Sequence, residues 1–75
     1  MSSGYAIAFG DKLMVDTVRL SDRGTMITWL EGWEGFSVPM GMGDFAIRET
    51  FDKHAKEAGC RIVKVQIAIE EPSHG

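Results

Sequence analysis

Residues 44–70 read DFAIRETFDKHAKEAGCRIVKVQIAIE and contain the two clearest periodic patterns of the chain. In the first half, apolar residues recur three or four positions apart, which is typical of one face of an α-helix. These residues are Ile47, Phe51, Ala55 and Ala58. We expect Asp44 to cap the start of this helix, and Gly59 to end it because glycine readily adopts the left-handed conformation.

The second half, residues 61–70, alternates between apolar and polar side chains, which is typical of a β-strand with one buried face. We expect the apolar row to pack against the helices and the polar row to face solvent. The apolar row is Val63, Val65, Ile67 and Ile69, and the polar row is Lys64, Gln66 and Glu70.

The N-terminal part predicts a β-hairpin. Residues 5–9 alternate large and small apolar side chains, and residues 13–19 carry the β-branched residues of a partner strand. Gly10 and Asp11 lie between them and favour a tight turn, since glycine tolerates positive φ and aspartate favours turns.

Two interpretations of residues 21–33 stay open, and a helix is favoured. Ser21 suits a helix cap, Asp22 suits the positive end of a helix, and Gly32 suits a left-handed ending. The apolar residues Met26, Trp29, Leu30 and Trp33 have helical spacing, and Trp29 and Leu30 are expected inside. Alternatively, residues 22–24 form a hairpin turn and residues 25–30 form a strand.

Residues 35–43 are rich in glycine and lack periodicity, so they predict a loop. The expected fold class is α+β, with a three-stranded antiparallel sheet and two helices on one face in the order β-β-α-α-β. We expect one domain over residues 1–75, frayed at 1–3 and 72–75. The other sheet face is expected to carry Ala6, Ala8, Met14 and Val18, and to be partly exposed or covered by a second copy.

Composition excludes several classes of function. The chain has 75 residues, 44% of them hydrophobic, with 8 Lys and Arg against 11 Asp and Glu, for a net charge of -3. Direct nucleic-acid binding needs clustered basic residues, and a membrane span needs about 18 consecutive apolar residues, so neither is expected. The N-terminus has no signal-peptide core. Cys60 is the only cysteine, which favours a reducing cytoplasm.

Candidate chemistry is sparse, so no catalytic residue, metal site or cofactor is predicted. His54 is expected to be a solvated helix residue, and Cys60 a small apolar residue at a helix-to-strand junction. A catalytic pair of these two residues is an alternative, but no orienting group accompanies it. The Gly41–Asp44 segment is a poor phosphate loop because Asp44 puts negative charge where the anion would bind.

The segment from Trp29 to Met42 is the best candidate for a partner-binding surface, because exposed aromatic residues and Met often anchor protein interfaces. Acidic residues of the two helices would meet basic groups of the partner, which orients and speeds association. The candidate residues are Glu31, Trp33, Glu34, Phe36, Met40, Asp44, Glu49 and Asp52.

Three segments carry a resemblance: YAIAFGDK at residues 5–12, TVRLS at 17–21 and GCRIV at 59–63. With this layout, the chain resembles small accessory proteins of bacteriophages and related mobile elements, several of which are anti-CRISPR proteins. The resemblance implies a non-catalytic inhibitor that binds a protein subunit of a host CRISPR–Cas effector complex and blocks target DNA binding. It implies no functional residues. The alternative is a self-associating structural or assembly module of such an element, so monomer and homodimer both remain possible.

Overall fold

A computed structural model describes residues 2–67 of the chain and confirms the expected order of elements. The elements are β1 (Ser2–Phe9), β2 (Lys12–Arg19), α1 (Asp22–Gly32), α2 (Asp44–Ala58) and β3 (Cys60–Ile67). Residues 35–39 and 42–43 lie outside helices and strands, as the predicted loop requires. The predictions for Ile69, Glu70 and residues 72–75 lie outside the described residues.

The three strands form one antiparallel sheet in the order β2-β1-β3, with the helices on one face, which confirms the predicted fold class. Gly10 has a φ of 58° in the turn between β1 and β2, a value that glycine tolerates at no steric cost. β1 begins at Ser2, earlier than the expected start at Tyr5. Ser2 and Ser3, which lie in the segment expected to fray, pair with β3.

The β1–β2 ladder is interrupted, because Ile7 pairs with Met14 while Tyr5 pairs with Arg19. Thr17 lies in the extra stretch of β2 and is completely buried. Its hydroxyl accepts a hydrogen bond from the Ile7 N–H at 2.9 Å and donates one to the Met14 carbonyl at 2.6 Å. The side chain therefore supplies the hydrogen bonds that the interrupted ladder lacks.

α1 is a helix, so the alternative strand over residues 25–30 is wrong. The Ser21 hydroxyl caps it by accepting a hydrogen bond from the Gly24 N–H at 3.0 Å. Gly32 does not provide the left-handed ending, because it is still helical and Trp33 follows in a right-handed conformation. The chain turns instead at Gly35, where φ is 68°.

α2 ends at a left-handed Gly59 as predicted, with φ at 72°. The prediction that Asp44 caps its start is wrong. Gly43 is the extended N-cap residue and Asp44 is already helical, so its carboxylate is free to pair with Arg23 of α1 at 2.8 Å.

The core lies between the helices and the sheet. Trp29 of α1 meets Phe51 of α2 edge to face, with ring centroids 5.4 Å apart. The helical pattern of α2 is confirmed, since Ala58 also packs against this core. The buried members of the cluster are Ile7, Met26, Trp29, Leu30, Ile47, Phe51 and Ala55.

The predicted orientation of β3 is wrong. Ile62 pairs with Ile7 of the core, so Ile62 faces the helices and packs there. Residues that are paired across antiparallel strands point to the same side, and neighbours along a strand point to opposite sides. Val63, Val65 and Ile67 therefore lie on the open face of the sheet, while Lys64 and Gln66 point to the helix side.

The assignment of Met14 to the open face is also wrong. Met14 pairs with Ile7 and packs against the core from the helix side. Ala6 and Ala8 do lie on the face away from the helices, and both are buried there. Val18 is half-buried.

Candidate protein-binding surface

An apolar cleft of about 260 Å³ opens where the β1–β2 hairpin meets the end of α1. Phe9 closes β1 on one side, and Trp33 follows α1 on the other. Both side chains are about half exposed, at 52% and 54%. The lining residues are Phe9, Met14, Trp29, Trp33, Glu34, Ala58 and Cys60. We call this site the Trp33 cleft.

Helix termination places Trp33 at the rim of the cleft. Trp33 donates its N–H to the Trp29 carbonyl at 2.9 Å, which is the last helical hydrogen bond of α1. Glu34 donates to the same carbonyl, and Phe36 donates to the Leu30 carbonyl, so the chain turns immediately after Trp33. Trp29 is directed into the core and Trp33 is left half in solvent.

Glu34 and His54 join the end of α1 to α2. The His54 Nδ1 lies 3.1 Å from the Glu34 Oε1, and the His54 ring packs edge to face against Phe36 with centroids 5.5 Å apart. His54 is half-buried, so its expected solvated environment is wrong. A helix position alone could not reveal these two partners, because both come from the loop that follows α1.

A second cleft of about 340 Å³ lies beside this contact. It is lined by Phe36, Glu49, Thr50, Lys53 and His54. Phe36 packs partly against the core, so only part of its ring is available there. The mixture of charges makes this cleft more polar than the Trp33 cleft.

Cys60 begins β3 and is half-buried in the Trp33 cleft, as expected for a small apolar residue at a helix-to-strand junction. Burial raises the pKa of its thiol above the ordinary value of 9.0, and the negative charge of Glu34 raises this pKa further. The thiol is therefore neutral at pH 7. The His54 ring nitrogen Nδ1 contacts Glu34 instead, and a raised thiol pKa is the opposite of what a nucleophilic cysteine needs.

The remaining predicted residues do not form one surface. Glu31 accepts a hydrogen bond from the Val38 N–H at 3.2 Å and so holds the loop against α1. Asp44 is paired with Arg23, while Glu49 and Asp52 are exposed on α2. Met40 is completely exposed in the loop.

Four of the predicted partner-binding residues line one of the two clefts. Trp33 and Glu34 lie at the Trp33 cleft, and Phe36 and Glu49 lie at the second cleft. Sequence reasoning missed Phe9, whose position beside a hairpin turn is the only signal for its exposure. It also missed Leu20 and Phe45, which are 73% and 82% exposed near the starts of the two helices.

The net charge of the chain resides in the helical layer. Residues 22–58 contain seven acidic and four basic side chains, so this segment carries the whole formal charge of -3. Two ion pairs tie the helices together within it: Arg23 with Asp44, and Arg48 with Asp22 at 3.0 Å. The sheet segments within residues 2–67 carry a small positive excess, with four basic and two acidic residues.

Residues 2–67 contain no group of three or more His, Cys, Asp and Glu side chains that could hold a metal ion. None of the helices in this range is both long and apolar enough to cross a membrane. Comparisons of the chain with protein-family models, with curated proteins and with solved structures give no match.

Proposed function

We propose that the chain is a non-catalytic inhibitor that acts in the cytoplasm of a host bacterial cell. In this proposal it binds a protein subunit of a CRISPR–Cas effector complex and blocks target DNA binding. The Trp33 cleft supports the protein-binding part of the proposal. The class of partner rests on the resemblance of segments 5–12, 17–21 and 59–63 to phage accessory proteins.

The observation that carries the proposal is the pair of half-exposed aromatic rings, Phe9 and Trp33, on the two sides of an apolar cleft. Tryptophan is enriched among the residues that dominate binding energy at protein interfaces, because it buries a large, rigid area with little loss of entropy. A partner side chain that enters the cleft would contact both rings at once.

Electrostatics supports a basic partner surface. Glu34 lines the Trp33 cleft, and Glu49 and Asp52 add carboxylates on the helical layer, whose net charge is negative. A surface that normally holds DNA is rich in Lys and Arg. Attraction between the two surfaces speeds and orients association, while the aromatic contacts provide most of the affinity.

The state of Cys60 supports action by contact. A nucleophilic cysteine needs a lowered pKa, whereas burial and the charge of Glu34 raise the pKa of this thiol. Within the cleft, Cys60 therefore behaves as an apolar lining residue.

The test is a pull-down of purified effector complexes with the tagged chain, followed by a DNA-binding competition. We expect one effector type to be retained and its affinity for target DNA to fall as the chain is added. If every complex tested passes through and DNA binding is unchanged at about 10 µM chain, the partner assignment is wrong.

A matched pair of variants tests the role of the cleft. Trp33→Ala is expected to weaken binding to the retained complex by at least about 10-fold. Leu20→Ala removes a side chain that is more exposed and lies before the start of α1, away from the cleft, so its affinity should equal that of the parent chain. Equal affinities of all three chains, with unchanged circular dichroism, would exclude the cleft as the binding site.

A further inference from the structure

The two helices run side by side in the same direction, so their C-terminal ends lie together. Arg23 pairs with Asp44 between the first turns of the helices. Glu34, which follows α1, contacts His54 in the second half of α2. Both C-terminal ends therefore lie at the Trp33 cleft, which is also lined by Ala58, the last residue of α2.

Two helix C-termini give this cleft a negative potential. The unpaired carbonyls at the end of a helix carry about half an elementary negative charge, which favours a cation nearby. α1 has no basic residue in its last turn, and Lys56 in the last turn of α2 is exposed and does not line the cleft. The Glu34 carboxylate adds a full negative charge, whose influence reaches the lining because it helps to raise the pKa of Cys60.

The Glu34 carboxylate can accept a further hydrogen bond. Its Oε1 lies 3.1 Å from the His54 Nδ1, and no other hydrogen bond or ion pair involves this carboxylate within residues 2–67. Only 29% of the side chain is exposed, so solvent screens an added charge less here than on an open surface. Oε2 is therefore available to a cation that enters the cleft.

The aromatic walls of the cleft offer free ring faces. Phe9 and Trp33 are each about half exposed, and the aromatic pairs within residues 2–67 are formed by other rings. The Phe9 Cε2 lies 3.7 Å from where a Cβ on Gly59 would be, so this ring packs over the end of α2. A cation over the face of an aromatic ring gains about 2- to 30-fold in affinity.

The size and lining of the cleft favour one arginine side chain. The volume of about 260 Å³ is below the roughly 300–1,000 Å³ that is typical of sites for drug-sized ligands. The ammonium of lysine is strongly hydrated, which disfavours its entry into a mainly apolar cleft. The guanidinium of arginine is weakly hydrated and planar, so it can stack on a ring and donate hydrogen bonds from its edge.

We propose that the Trp33 cleft binds an arginine side chain of the partner protein, with its guanidinium stacked on Trp33 and donating to the Glu34 carboxylate. This inference rests on the proposed function, in which the cleft contacts the basic surface of an effector subunit, and it names the group that enters. An arginine held in this way can no longer contact a DNA phosphate.

Titration of the full chain with a blocked glycine–arginine–glycine tripeptide tests the inference without any effector complex. In two-dimensional NMR spectra, the Trp33 indole N–H should shift with a Kd of roughly 1–10 mM, and the buried Trp29 indole should shift less. The same tripeptide with citrulline has nearly the same shape without the charge, and should bind about 10-fold more weakly.

Three results of this titration would overturn the inference. The first is a Trp33 indole that does not move at about 50 mM arginine tripeptide. The second is equal affinity for the citrulline tripeptide, which would show that charge plays no part. The third is equal affinity for the lysine tripeptide, which would show that the cleft does not select arginine.

Two substitutions that each remove one carboxylate provide the matched variants. Glu34→Gln is expected to reduce the preference for arginine over citrulline from about 10-fold to below about 3-fold. Asp52→Asn removes the same charge from an exposed position of α2 that does not line the cleft, and should keep the preference of the parent chain. Equal preferences of the two variants would refute the role of Glu34. The citrulline comparison on the parent chain remains decisive if Glu34→Gln lowers the helical content.

Failure of this inference and failure of the proposed function give different results. If an effector complex is retained by the chain but the arginine tripeptide does not bind at Trp33, the inference alone is wrong. If the arginine tripeptide binds at Trp33 but every effector complex passes through, the assignment of the partner alone is wrong.

Discussion

The buried hydroxyl of Thr17 gives the sharpest prediction about stability. Thr17→Val keeps the shape of the side chain but removes the hydroxyl, so the Ile7 N–H and the Met14 carbonyl both lose their partner. Leaving a buried polar group unpaired costs about 1–3 kcal/mol, and the Met14 carbonyl is only partly buried. We therefore expect Thr17→Val to lower the free energy of unfolding by about 2–4 kcal/mol.

The matched control is Thr17→Ser, which keeps the hydroxyl and loses one methyl group, at a cost of about 1 kcal/mol. The whole free energy of unfolding of a 75-residue chain is about 4–11 kcal/mol, so the two variants should be clearly separated. Urea unfolding followed by circular dichroism should place their midpoints about 2 M apart with equal slopes.

Hydrogen exchange provides an independent measurement. The Ile7 amide should exchange faster in Thr17→Val, relative to other core amides, because its hydrogen bond has been removed. If Thr17→Val is as stable as Thr17→Ser and the Ile7 amide is still protected, the hydroxyl does not complete the ladder and the reasoning is refuted.

Other variants test the sheet and the cleft. Gly4→Ala should lower the free energy of unfolding by about 1–3 kcal/mol, since its Cβ would lie 2.8 Å from the backbone oxygen of Arg19. Gly32→Ala has open space around its Cβ and should raise the free energy of unfolding by about 0.5–1 kcal/mol. Thermal melts measure both changes. Glu34→Gln should lower the pKa of Cys60, because one of its two causes is removed, and so increase thiol alkylation at a fixed pH. Because folding raises the pKa of Cys60, this thiol contributes fully to the free energy of unfolding below pH 9.0, and the contribution is lost as the pH rises through the folded-state pKa. The free energy of unfolding of Cys60→Ala should therefore fall less steeply over this pH range.

Local patterns were sufficient for most of the fold. Ser21 predicted the start of α1, Gly59 predicted the end of α2, and the spacing of Ile47, Phe51 and Ala55 predicted the buried face of α2. These features are determined within one or two turns of chain. They can therefore be derived from a sequence without knowing which elements meet.

The face of β3 could not be derived in the same way. Alternation shows that Val63, Val65 and Ile67 share a side, but it does not show which side faces the helices. That choice depends on register with β1, where the bulky Ile7 faces the core and the small Ala6 and Ala8 do not. The large and small alternation of β1 was the available signal.

The candidate site could likewise be predicted only in part from the sequence. Trp33 was expected near a surface, and the structure places it at a cleft because α1 ends there. Its opposite wall is Phe9, which is remote in sequence. The contact between Glu34 and His54 is likewise long-range, so neither helix alone predicts it.

The two tryptophans of the chain lie one helical turn apart, yet one is 1% exposed and the other 54%. They are therefore two intrinsic fluorophores in different environments, one in the core and one at the cleft. Acrylamide should quench the emission of Trp33 and spare that of Trp29, so occupancy of the cleft and loss of the core can be monitored separately in a single unlabelled sample.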